Sequence, residues 1–152
     1  MLLGAALQEL KIMQSKLYRL YRLREDTFNV LENKEVEVDF DKVSKEIAEL
    51  ILQIRTLKVK INKTNTNTVI RVENKDMSII ELIILIGDLR SELSRFELLT
   101  PRGPVYLGGQ AVEYITQKKK DEIANKIAEM EKRKADLDKI LQSTNWKTEL
   151  LQ

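Results

Sequence analysis

Val43, Ile47, Leu50, Ile54, Leu57 and Ile61 recur in alternating steps of four and three residues, with no polar residue in the register. That step keeps every one of these side chains on a single helix face and lets the helix lie along another for several turns. Three further stretches share the rhythm. Leu3, Leu7, Leu10, Leu17, Tyr21, Phe28 and Leu31 form one, with Gln14 and Arg24 filling the same register. Ile79, Leu82, Ile86, Leu89, Leu93 and Phe96 form the next. Ile123, Ile127, Met130, Leu137 and Leu141 form the last, with Lys134 as its polar exception. Four helices follow, over about residues 3–31, 41–62, 79–99 and 116–143.

The connections are short and differ in chemistry. Asn33 to Asp39 breaks the first pattern, and Asp39 or Asp41 can accept hydrogen bonds from the free amides that open the second helix. Asn and Thr dominate Asn62 to Thr68, side chains that compete for backbone groups and favour a turn. β-Branched Thr68 to Val72 before the polar Glu73–Asp76 fits a strand or hairpin over about 68–76. Ser78-Ile79-Ile80-Glu81 has the spacing of a capping box. Pro101, Gly103 and Pro104 stop the third helix, and residues 103–115 have room for a second short β element. The expected fold is mainly α, a single domain over residues 1–152. It is a bundle of four long helices, built as antiparallel α-hairpins with coiled-coil-like seams.

Several function classes fall away on composition. With no Cys there is no disulfide and no thiolate nucleophile, and with no His the usual general base near neutral pH is missing. A net charge of +2 is too mild to argue for nucleic acid. The opening Met1-Leu2-Leu3-Gly4 lacks the basic flank of a signal peptide, and the apolar run Ile79–Ile86 is about half a bilayer span. The expected location is the cytoplasm. No phosphate-cradling loop can be written, no carboxylate spacing marks a metal or acid–base pair, and no cofactor is expected.

What remains are weaker signals. Lys42–Glu46, Lys45–Glu49, Glu122–Lys126 and Glu129–Arg133 are spaced for surface ion pairs. Arg24 on its seam either sets register or meets a carboxylate such as Asp88. Gly87 is costly in mid-helix, by about 1 kcal/mol against Ala, so the close approach of a neighbouring helix is expected there. Ile79, Ile80, Ile83 and Ile84 make the third helix apolar nearly all round and are the expected oligomer interface.

Two stretches carry a family resemblance. One is Lys60-Ile61-Asn62-Lys63-Thr64-Asn65, the Thr68–Val72 strand and a helix with Gly87-Asp88-Leu89-Arg90. The other is Leu137-Asp138-Lys139-Ile140-Leu141-Gln142 followed by Asn145-Trp146. Together with Ala5-Ala6-Leu7-Gln8-Glu9-Leu10 at the start, the chain resembles the septicolysin-like family, small bacterial proteins of unknown function. Gly87 stands where family members often carry Arg, and the loop from Pro101 to Thr116 diverges. The family name implies a cytolysin and brings no catalytic residues. A shared ligand site would fall on Asn62, Thr64, Asn65, Asp88, Arg90 and Trp146. The leading expectation is a self-associating structural or interaction protein, a homo-oligomer rather than an enzyme. A membrane-active protein and a small-ligand binder built on the Asn/Thr turn are the alternatives.

Overall fold

The structure is a computed structural model describing residues Met1–Gln152. Its helices are α1 (Leu3–Thr27), α2 (Phe40–Asn67), α3 (Ile79–Glu97) and α4 (Lys120–Asn145). The hairpin β1 (Val69–Val72) and β2 (Lys75–Ser78) joins α2 to α3, and the hairpin β3 (Val105–Leu107) and β4 (Gln110–Val112) lies between α3 and α4. Each hairpin turns through two residues of positive φ, Glu73 and Asn74 in the first and Gly108 and Gly109 in the second. That geometry matches the right-handed twist of the flanking strands.

The helices pair in sequence, α1 on α2 and α3 on α4, and the two α-hairpins meet only at one end of each. Three apolar clusters record this. Leu20 of α1 packs with Val43, Ile47, Leu50 and Ile54 along the far part of the first hairpin. Leu82, Ile86 and Leu89 of α3 pack with Met130 and Leu137 of α4 and with Val72 of β1. Between them, Leu3, Ala6, Leu57, Ile61 and Ile79 form a junction. No cluster joins residues from the two far ends. All six residues of the uninterrupted second seam are buried, as their spacing requires.

Helix boundaries depart from the periodicity where side chains intervene. α1 ends at Thr27 rather than near Leu31, with Phe28 as its C-cap, and the Phe28 ring meets the Phe40 ring at 5.8 Å. α2 does not fray at Asn62 but continues to Asn67. There Thr64, Thr66 and Asn67 donate to carbonyls four residues back, at 2.8–2.9 Å, so these side chains bond within the helix instead of opening it. Asp39 caps α2, accepting from the amides of Asp41 and Lys42. Ser78 and Glu81 form the expected capping box at α3. α4 begins at Lys120, four residues later than the periodicity suggests, and Thr116 remains in the exposed connection.

Other local expectations also change. None of the four spaced ion pairs forms; instead Lys16 pairs with Glu46 between α1 and α2, Arg71 with Asp76 across the first hairpin, Lys126 with Glu129 and Lys139 with Asp136 within α4, and Arg133 with Glu73 between α4 and the first turn. Arg24 lies over the Tyr21 ring of its own helix at 5.5 Å, not against Asp88. Lys134 reaches Asp138 one turn on, at 2.8 Å, which satisfies the polar break in the fourth seam. Nothing within 4 Å would meet a Cβ at Gly87, so no helix of the same chain explains that glycine.

Candidate functional site

The chain's two termini and the adjoining ends of α2 and α3 converge on the junction. The Leu3 amide donates to the Thr148 carbonyl and the Leu150 amide to the Met1 carbonyl, both at 2.8 Å. These bonds hold the terminal segments antiparallel, with Leu2 opposite Glu149. Thr64, fully buried, accepts from the Leu151 amide at 2.9 Å while donating to the Lys60 carbonyl. Its hydroxyl therefore links the end of α2 to the carboxy-terminal tail. Asn65 beside it is also buried, whereas Asn62 faces solvent.

The expected ligand residues divide between these surroundings. Thr64 and Asn65 are interior, and Trp146 caps α4 with its ring against Gly4. Asp88 and Arg90 flank buried Leu89 on the exposed side of α3 and form no ion pair or side-chain hydrogen bond. They are not brought together with the Asn/Thr cluster by any bond. Of the expected interface residues, Ile79 is fully buried within the chain and Ile80 half-buried. Ile83 and Ile84 are exposed, Ile84 to 56 %.

Electrostatics single out one contact across the fold. The Arg133 guanidinium holds the Glu73 carboxylate with two hydrogen bonds of 2.8 Å. These bonds lower the Glu73 pKa and raise that of Arg133, against the opposing effect of partial burial. Glu81 is also lowered, by the backbone amide and hydroxyl of Ser78. Both carboxylates are thereby committed to holding structure. No group of three carboxylates comes together to hold a metal ion.

Two of the concave surfaces stand out, and both are open. One lies along α1 over Lys11, Gln14, Ser15, Tyr18 and Arg19. The other lies between α1 and α2 beside the tail, where Met1, Met13, Leu52, Leu57 and Leu150 supply apolar walls and Glu9 and Lys60 charge. Neither contains a paired nucleophile and base. The contact that sequence reasoning missed is Gly4 under Trp146. Its signal was the run Gly4-Ala5-Ala6, small residues at a helix start where another group can come close.

A family of unknown function, DUF6847, matches residues 11–150. The chain belongs to this family. No curated protein sequence matches it. Among solved structures, it is similar to a functionally unknown conserved protein from Corynebacterium diphtheriae, at 25 % identity and a TM-score of 0.83 over 99 % of each chain. Two α-hairpins meeting at a junction are thus a whole-chain arrangement shared with that bacterial protein rather than a local likeness. The DUF6847 match does not support the septicolysin-like name, and the cytolytic implication goes with it. No helix is long and apolar enough to cross a membrane.

Proposed function

We propose that this DUF6847 member is a structural or interaction protein that associates with copies of itself in the cytoplasm. The observation that carries this reading is surface. The chain exposes 11963 Å², whereas a compact monomer of its mass exposes about 7,900 Å². Only 19 of 152 residues are buried, so most apolar side chains are half covered or open. A second copy would cover them by the same packing that each α-hairpin uses internally.

The face of α3 that carries Ile80, Ile83 and Ile84 is one place for such a contact. These residues share a side with Gly87, whose backbone lies open. A helix of another copy could approach closely there, which gives the mid-helix glycine a packing reason that its own chain does not. Ligand binding at the Asn/Thr cluster is less well supported, because Thr64 is engaged by the Leu151 amide and the Lys60 carbonyl and Asn65 beside it is buried. Light scattering across a concentration range tests the reading: a stable multiple of 17.7 kDa is expected, and a monomer throughout would refute it.

A further inference from the structure

The connections at the two far ends of the molecule carry opposite charge, and both expose large apolar side chains. The α1–α2 connection from Phe28 to Asp41 contains five carboxylates, Glu32, Glu35, Glu37, Asp39 and Asp41, against Lys34 alone. Between the helices, the β3–β4 connection from Leu98 to Lys119 contains Arg102, Lys118 and Lys119 against Glu113, and Lys120, Asp121 and Glu122 follow in the first turn of α4. Phe28, Leu31 and Val36 are exposed on the acidic end, and Tyr106, Leu107 and Ile115 on the basic one. Ile115 is 91 % exposed. No ion pair joins the two ends within the chain.

The basic end also lacks support of its own. Its two strands are three residues each and pair only with one another. Apart from half-buried Val105, every residue from Glu97 to Glu122 is exposed. An isolated two-stranded hairpin is marginal in water and needs a packed face to persist.

We propose that the basic β3–β4 end of one copy seats on the acidic α1–α2 end of a second copy. This rests on the self-association reading above and specifies which surfaces meet. The apolar residues supply contact area, while the opposite charges select the partner end and the orientation. Two such contacts related by a two-fold axis close a dimer.

Reciprocal charge reversal tests it. One variant carries Arg102→Glu, Lys118→Glu and Lys120→Glu; the other carries Glu32→Lys, Glu35→Lys and Glu37→Lys. Each alone sets like charge against like and should weaken association at least tenfold by light scattering, with helix content unchanged by circular dichroism. An equimolar mixture of the two restores opposite charges at both ends and should recover the wild-type mass. Retention of the wild-type mass by each variant alone would overturn the end-to-end contact while leaving self-association in place. Loss in both variants without recovery on mixing would also overturn it. A monomeric wild type refutes both proposals, including one whose basic end binds phosphatidylserine vesicles.

Discussion

The indole of Trp146, just past the end of α4, lies directly against the backbone of Gly4 in the first turn of α1. A Cβ at Gly4 would sit 2.7 Å from the ring. Gly4→Ala therefore sets two effects against each other. Helix propensity favours Ala by about 1 kcal/mol, and the clash with a ring packed at the junction costs about 1–3 kcal/mol. The clash should dominate, because α1 and α4 are both tethered here by the terminal hydrogen bonds. A lower Tm is expected, and an increase would show that Trp146 swings aside freely.

Thr64 holds the tail through one hydroxyl. Thr64→Val keeps the shape and removes the acceptor for the Leu151 amide. The loss should be about 1–2 kcal/mol in urea unfolding, accompanied by faster amide exchange at Leu151. Unchanged exchange there would place the tail's anchor in the Met1 and Leu3 backbone bonds alone.

The Glu73–Arg133 pair gives a pH dependence with a definite sign. Its bonds lower the Glu73 pKa in the folded state. The pair's contribution is complete above the ordinary glutamate range and is lost as pH falls through the lower folded value. Both side chains are nearly half exposed, so screening limits that contribution to no more than about 1 kcal/mol. Glu73→Gln should be slightly less stable than wild type at about pH 7, with the gap closing toward about pH 2. A gap independent of pH would mean that the carboxylate charge contributes nothing.

Gly87 separates the folding of one chain from contact between chains. Within the chain its Cβ position is empty, so Gly87→Ala should stabilise the monomer fold, by up to about 1 kcal/mol. Where another copy packs closely on α3, the same change should weaken association. Ile84→Lys should weaken it as well, with helix content retained. If neither variant changes the mass, α3 is not a contact face.

Much of the fold was legible because burial follows period. The seam from Val43 to Ile61 is buried throughout, and the capping box at Ser78 forms as written in the sequence. The end of α2 was not legible in the same way. Thr and Asn side chains either end a helix or bond back along it, and the choice at Thr64 depends on a tail 87 positions away in sequence. The partner of Arg133 is also remote, 60 positions away: spacing points to Glu129, and Glu73 across the fold takes its place. The expected site residues differ in surroundings: Thr64 and Asn65 are buried near the end of α2, whereas Asn62 faces solvent and Asp88 and Arg90 lie exposed partway along α3 with no bond to them.

The central claim is that the exposed apolar surface is completed by copies of the same chain. Light scattering on the wild-type protein over a wide concentration range tests it most directly. A constant multiple of 17.7 kDa, falling when the opposite charges of the two ends are reversed, is the expected result. A mass of one chain at every concentration would contradict the account.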